Sequence, residues 1–194
     1  YDSRIGSKFL NASIGFGGSC FKKDILNLVY LCKNYGLDEV ANYWHSVVKI
    51  NDYQKNRFTN KAIEILGNQI SNSRTSILGW AYKKNTNDSR ESASIYVTVN
   101  LLQLGAIVNI YDPLVVKDKI LLDISLLLEL RGVDSQRVKK LLKNVYVIDN
   151  LKDSINNSKA ILVLTEWDEF KNCDWFKITK HMTSKPFLLD GRNI

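Results

Sequence analysis

Cysteine is scarce in this chain, and what there is cannot pair off. The three cysteines, Cys20, Cys32 and Cys173, are an odd number with no CxxC spacing. That argues against a disulfide framework and against a structural zinc site, so no metal is expected. A reducing, cytoplasmic setting fits best. No apolar run approaches the roughly 18 residues of a membrane span, and no signal peptide is evident. No Lys/Arg run of the tail type is present, although the net charge is +7. That charge suits anionic ligands such as nucleotides or phosphates; a nucleic-acid reading rests on it alone and is set aside. The two histidines, His45 and His181, have no matching partners and read as structural. An initiator methionine is missing, and almost nothing follows the final strand-and-turn pattern. The expectation is a piece of a longer protein.

What is present falls into two parts. Residues 1–23 are rich in Gly, Ser and Asn and read as mostly loop. From Asp24, the apolar positions Ile25, Leu28, Val29 and Cys32 follow helical spacing, and Gly36 closes that helix. Residues 37–66 contain no Gly or Pro. They read as one helix of roughly 45 Å at 1.5 Å per residue, with a polar middle from Asn51 to Arg57. Two helices with a bend near Asn51 are the alternative. After a linker at residues 67–74 the pattern changes to alternating strand and helix. Strands are expected at 75–78, 107–111, 145–148, 160–164 and 187–189. Helices are expected at 92–104 and 151–158, with short helical pieces at 167–170 and 175–181. Residues 114–144 are Leu- and Lys-rich and helical in character. The fold class is therefore α/β: a helical region (1–70) with a long spine helix, then a Rossmann-like, mainly parallel sheet domain (71–194). Ligands in such sheets bind at the carboxyl ends of the strands.

The stretch richest in chemistry is Gly15-Phe16-Gly17-Gly18-Ser19-Cys20-Phe21-Lys22-Lys23-Asp24. Position 20 would need to be glycine to complete a dinucleotide fingerprint, so this is not a Rossmann phosphate loop. It reads either as a close-approach loop for a ligand or as a simple turn. A thiol at a helix N-terminus is favoured as thiolate, the nucleophilic form. If the helix has begun by Cys20, the Asp24 carboxylate shares its face. One pKa unit corresponds to about 1.4 kcal/mol, whereas a helix terminus supplies roughly 0.3–1 kcal/mol. Lys22, Lys23 or a bound cationic cofactor would have to add to it. Cys32 reads as core and Cys173 as incidental. Lys83, Lys84 and Arg90 stand in a strand-end loop that suits a phosphate. The competing reading is a solvated loop with Ser89 or Asp88 as N-cap and Glu91 in the first helical turn.

These residues also carry a resemblance. Phe9-Leu10-Asn11-Ala12-Ser13-Ile14-Gly15 through Asp24 closely resembles the active-site segment of UDP-glucose 6-dehydrogenases. Further matches follow in order: Asn51-Asp52-Tyr53-Gln54, Gly79-Trp80-Ala81-Tyr82-Lys83-Lys84, Asp88-Ser89-Arg90-Glu91-Ser92, Ile110-Tyr111-Asp112-Pro113, Thr165-Glu166-Trp167 and Asp190-Gly191-Arg192. The resemblance implies NAD-dependent oxidation of UDP-glucose to UDP-glucuronate in two steps, through a thiohemiacetal and a thioester. Cys20 matches the nucleophile and Asp24 the carboxylate that handles protons and water. Arg4, Phe9, Asn11, Ala12, Ser13, Ile14, Gly15, Phe16, Gly17, Tyr82, Lys83 and Arg192 match substrate contacts, with Arg4 reaching across a dimer interface. Cys20, Phe21, Lys22, Lys23 and Arg90 match cofactor contacts. The long helix matches a dimerising spine, so a homodimer or higher homo-oligomer is implied. Lys22 replaces a common glutamine or proline, Tyr82 often stands as Phe, and residues 114–144 diverge. The resemblance also implies a missing NAD-binding domain, and hence no turnover by these residues alone. A dehydrogenase for another UDP-sugar and a non-catalytic nucleotide-binding or assembly module are the alternatives.

Overall fold

The computed structural model describes residues 6, 10–180 and 187–194. Arg4, Phe9 and His181 lie outside the described residues. A helical hairpin leads into an α/β sheet. Helix α1 (Phe21–Asn34) begins four residues before Ile25, the first position of the apolar stripe, with Cys20 as its N-cap. It stops in a Schellman turn. The Leu37 amide donates to the Cys32 carbonyl at 2.9 Å and the Gly36 amide to Lys33 at 3.0 Å, with Gly36 at φ 70. Glycine takes that conformation without the usual steric cost. Helix α2 (Asp38–Leu66) runs unbroken for 29 residues, so the bend near Asn51 does not occur. Ile25, Val29 and Cys32 of α1 bury against Ala41 and Val48 of α2, as the stripe required.

The polar middle of α2 has a different role from a solvated spine. Asn51, Lys55 and Thr59 are buried. They recur every fourth residue, so they form one stripe on one face. Past a short 3-10 turn at Gly67–Gln69, strand β1 (Arg74–Leu78) opens the sheet. Helix α3 (Ala93–Gln103), β2 (Ile107–Tyr111), α4 (Lys117–Leu130), α5 (Ser135–Leu142), β3 (Val145–Val147), α6 (Leu151–Ser154), β4 (Ala160–Val163), α7 (Asp168–Lys171), α8 (Trp175–Thr179) and β5 (Phe187–Asp190) follow. The Leu-rich segment is thus resolved into α4 and α5. In α4, Ile120, Ile124 and Leu128 are buried while Leu122, Leu126 and Leu130 are exposed.

The five strands are all parallel, in the order β3-β2-β1-β4-β5. Connections run outward on one side from β1 and then restart on the other at β4. The crevice at their carboxyl ends is therefore the topological switch point, where ligands bind in open α/β sheets. Two features close the floor of that crevice. Gly79, at φ +94, lies so close to Thr165 that an added Cβ would fall 2.3 Å from the threonine Cβ. Asp112 accepts hydrogen bonds from the Trp80 amide (2.6 Å), the Ala81 amide (3.0 Å) and the Trp167 indole (3.1 Å). Its other oxygen takes the Leu114 and Val115 amides, both at 2.9 Å. Asp112 is thereby committed to holding three loops together.

Candidate functional site

The segment 11–20 crosses the crevice and is fixed from three sides. From α2, the Asn51 side chain clamps Phe16: its Oδ1 accepts from the Phe16 amide at 2.7 Å and its Nδ2 donates to the Phe16 carbonyl at 3.1 Å. A Cβ on Gly15 would lie 2.7 Å from that same Oδ1 and 3.2 Å from Lys55 Cγ. From the loop before α3, the Arg90 carbonyl accepts the Gly18 amide at 2.7 Å. A Cβ on Gly17 would meet the Glu91 carbonyl oxygen and Tyr82 Cβ, each at 2.8 Å. These are the close backbone approaches that the glycines permit. From the end of β5, Arg192 donates to Ser13 Oγ at 2.6 Å, and Ser13 Oγ donates to the Gly15 carbonyl at 2.8 Å.

Arg192 is itself well located. Asp190 caps the turn, accepting the Arg192, Asn193 and Ile194 amides, each at 2.8 Å. The Arg192 guanidinium pairs with Glu166 at 2.5 Å, and its side chain is only 10% exposed. Asn11, Ala12 and Ser13 are exposed, Ile14 is buried, and Gly15, Phe16 and Gly17 are half-buried. The Tyr82 ring lies against Gly18, 3.2 Å from where a Cβ would stand, and the Lys83 ammonium sits 5.5 Å above that ring. The structure therefore brings together Asn11 to Gly17, Tyr82, Lys83 and Arg192, residues up to 181 positions apart in the sequence (192 minus 11). Asn51 joins them. Its place in a matching motif was legible, but its role was not, because polarity on a long helix reads first as solvent exposure.

Cys20 is exposed at the start of α1. Its Sγ lies 3.5 Å from Ser19 Oγ. The Asp24 amide donates to the Cys20 carbonyl at 2.8 Å, so both residues lie on one helical face. The cations nearest in sequence are engaged elsewhere. Lys22 pairs with Glu91 at 2.8 Å and Lys23 lies 3.7 Å from the Asp24 carboxylate. Both ammoniums therefore have carboxylate partners of their own. The cation electrostatically linked to Cys20 is Arg90. Its guanidinium is held above its ordinary value chiefly by hydrogen bonds to Asp88, with a smaller contribution from the Cys20 charge. Asp88 is correspondingly held below the usual carboxylate range by that guanidinium.

The expected helix cap is also corrected. The N-cap of α3 is Ser92, not Ser89 or Asp88. Ser89 is buried and donates to Asp123 at 2.5 Å, while Asp88 receives Arg90 at 2.9 and 2.8 Å. Glu91 sits before the helix at φ 55, not in its first turn. Cys32 is core, as expected, whereas Cys173 packs partly against the main core, and burial pushes its thiol up.

A cavity of about 640 Å³ opens beside Cys20. It is lined by Lys22, Lys23 and Arg90 on one side and by Leu26, Ile95 and Leu126 among the apolar residues on the other. The carboxylates of Glu91 and Asp123 also line it, so the cavity mixes both signs of charge with apolar surface. Phe21 stacks edge-on against Phe16, with centroids 4.7 Å apart, and so links the two ends of the glycine segment.

Below the loop lies a buried ammonium. Lys55 is 1% exposed, and its Nζ has no hydrogen-bond partner. It sits 4.0 Å over the Tyr96 ring and 3.8 Å from Asp52. Burial pulls its pKa down, against the attraction of Glu91 and Asp52. The sign follows directly. The folded state gives up this proton before the unfolded one, so Lys55 makes stability rise as pH climbs toward 10.5. Lys55→Met is expected to match or exceed the native protein in urea denaturation at pH 7, because a well-shaped apolar residue replaces a desolvated charge. Its advantage should shrink by pH 10; an advantage that grows with pH would contradict this.

The model for the UDP binding domain of the UDP-glucose/GDP-mannose dehydrogenase family matches residues 76–194, and that for the family's central domain matches residues 1–53. The chain belongs to this family. UDP-glucose 6-dehydrogenase 4 of Arabidopsis thaliana is 50% identical over 200 residues, covering 100% of this chain and 41% of that protein. The UDP-glucose 6-dehydrogenase of Drosophila melanogaster is 46% identical over 193 residues, covering 100% of this chain and 40% of that protein. The chain thus spans about two-fifths of the length of these dehydrogenases. A UDP-glucose dehydrogenase structure from Pyrobaculum islandicum superposes with a TM-score of 0.72 at 26% identity, covering 100% of this chain and 38% of that one. Among the described residues no helix is long and apolar enough to cross a membrane.

Proposed function

We propose that this chain forms the nucleophile-bearing and UDP-binding portion of an NAD-dependent UDP-glucose 6-dehydrogenase, with residues 1–70 and 71–194 as its two units. One observation carries the reading. The glycine segment that leads into Cys20 is clamped by Asn51 on one side and by Ser13 and Arg192 on the other. A sugar nucleotide held along that segment presents its hexose to Cys20. The sulfur adds to the carbonyl carbon of the six-aldehyde, giving a thiohemiacetal whose oxygen takes up a proton. Oxidation of that carbon leaves a thioester. Water, activated by Asp24, then cleaves the carbon–sulfur bond and regenerates the thiol.

Lys22, Lys23, Arg90 and the Cys20–Phe21 turn would hold NAD, which supplies a hydride acceptor for each oxidation. Lys83 and Arg192 hold the diphosphate, with Tyr82 and the segment from Phe9 to Gly17 around the uridine and sugar. Arg4 completes the pocket of a neighbouring copy in a homodimer. The setting is cytoplasmic, and turnover requires the remainder of the enzyme.

Binding tests this without turnover. In calorimetry the chain is expected to bind UDP-glucose in preference to GDP-mannose and UDP-N-acetylglucosamine. Lys83→Ala should weaken UDP-glucose binding by about tenfold or more, the loss of one charge-assisted contact. Because Lys83 is exposed, the fold should survive. Equal affinity for all three nucleotides, or no effect of Lys83→Ala, would overturn the assignment.

A further inference from the structure

Glu91 combines four features that the reading above does not use. Its backbone stands at φ 55, a conformation that costs a non-glycine residue roughly 1–2 kcal/mol. Such strain persists only where the surroundings enforce it, and it clusters at working sites. Its carbonyl oxygen is the atom against which Gly17 packs, 2.8 Å from the position of an added Cβ. The carbonyl of its neighbour Arg90 holds the Gly18 amide at 2.7 Å. Its carboxylate Oε2 receives both the Lys22 ammonium at 2.8 Å and the Tyr96 hydroxyl at 2.7 Å. Thus the segment 90–91 grips the turn two and three residues before Cys20, and the Glu91 side chain grips the helix two residues after it.

Burial alone would raise the Glu91 carboxyl. The hydrogen bonds from Lys22 and Tyr96, with the ammoniums of Lys22 and Lys55, outweigh it and hold the group below the usual glutamate range. The carboxylate is therefore charged, and these bonds are of the strong, charge-assisted kind. Lys55 completes the arrangement by supporting the Tyr96 ring from below. Helix α1 otherwise packs on α2, so Lys22 to Glu91 is a direct polar link from the nucleophile's helix to the sheet domain.

We propose that Glu91 is a positioning residue for Cys20: it locks the Gly17–Lys22 turn onto the sheet domain and so sets the sulfur against a bound sugar nucleotide. The proposal rests on Cys20 being the nucleophile. It predicts an effect on the chemical step and none on UDP-glucose affinity, because Glu91 touches the turn and not the Ser13–Arg192 side of the loop.

The test uses the full-length enzyme. Glu91→Ala is expected to lower kcat at least tenfold while the calorimetric Kd for UDP-glucose stays within twofold. Glu91→Gln keeps an acceptor oxygen for Lys22 and Tyr96 and should recover kcat to within threefold of native. Lys22→Met breaks the link from the other end. Combined with Glu91→Ala it should lose no more than the worse single variant, the mark of one shared interaction. If Glu91→Ala fails to fold, Lys22→Met carries the same kcat-against-Kd comparison, with kcat extrapolated to saturating NAD because the Lys22 ammonium also lines the cofactor cavity. Unchanged kcat in Glu91→Ala, equal losses in kcat and affinity, or multiplying losses in the double variant would overturn the proposal. Cys20→Ser serves as the control. If that variant turns over normally, the nucleophile reading and this proposal both fall. If it is dead while Glu91→Ala is active, only the present proposal falls.

Discussion

Cys20→Ser in the full-length enzyme is expected to lose at least about a thousandfold in the rate of NADH formation from UDP-glucose, with substrate affinity nearly unchanged. Removing a covalent nucleophile leaves only the rate that binding and orientation provide. Cys20 is exposed and forms no disulfide; its sulfur has only the long 3.5 Å contact with Ser19 Oγ, while the bonds that fix the glycine segment run to Asn51, Arg90, Ser13 and Arg192. Serine should therefore fit without disturbing the loop. The serine hydroxyl is a far weaker nucleophile near neutral pH. The measurement is the rise in absorbance at saturating UDP-glucose and NAD, with calorimetric binding in parallel. Retention of more than a tenth of the native rate would rule out a covalent role.

The same variant bears on how the thiol is activated. A helix N-terminus alone supplies too little to shift a thiol by one pKa unit. Lys22 and Lys23 are engaged by Glu91 and Asp24. Arg90 is left as the cation whose field reaches Cys20, and it lies on the sheet domain rather than on the nucleophile's own helix. Cys20 and the Arg90 guanidinium thus come together across the two parts of the chain.

Gly79→Ala should be the most damaging single-atom change to the fold. The methyl would stand 2.3 Å from Thr165 Cβ, 2.4 Å from its Oγ1 and 2.7 Å from its backbone nitrogen, at φ +94. None of these atoms is the far end of a flexible side chain. Thr165 is pinned by its hydrogen bond to the Ala81 carbonyl at 2.6 Å, and Gly79 by Ser94 Oγ donating to its carbonyl at 2.8 Å. Overpacking of about 1–3 kcal/mol adds to about 1–2 kcal/mol for the backbone conformation. At about 2–4 °C per kcal/mol for a domain of this size, the melting temperature should fall by roughly 4–20 °C. Gly36→Ala is the matched comparison. It has a similar positive φ of +70 but open space around the new methyl, so only the backbone cost of about 1–2 kcal/mol should appear. Equal shifts for the two variants, followed by circular dichroism, would show that the contact with Thr165 does not matter.

Much of the architecture was legible before any coordinates. Helix α1 followed from the spacing Ile25, Val29, Cys32 and the closing Gly36, and β1, β2, β4 and β5 from short apolar runs ending in turn residues. These signals are local: periodicity and backbone preference act over a few residues and need no partner. The Cys20 segment was legible through the match of a contiguous stretch. Residue order alone could not say what the polar stripe of α2 does. Asn51 and Lys55 read only as part of a polar middle until the glycine segment is laid across them, 35 residues away for the Phe16–Asn51 pair. The helix expected at 92–104 already left Glu91 outside it, but the reading with Ser89 or Asp88 as cap did not, and residue order could not choose between them. Ser89 is withdrawn to the buried Asp123 by tertiary contact, which hands the cap to Ser92.

The pairing of charges was decided in the same way. Proximity in sequence offered Lys22, Lys23 or a bound cationic cofactor to the thiol, whereas the fold pairs Lys22 with Glu91, 69 positions on. A long side chain near the surface is free to choose among partners, and the nearest desolvated carboxylate wins. The sequence by itself determined most of the helices and strands and where a cysteine stands at the end of the glycine segment. The tertiary structure alone decided what faces that cysteine, because charge, burial and close approach depend on distances between segments that the chain's order leaves open.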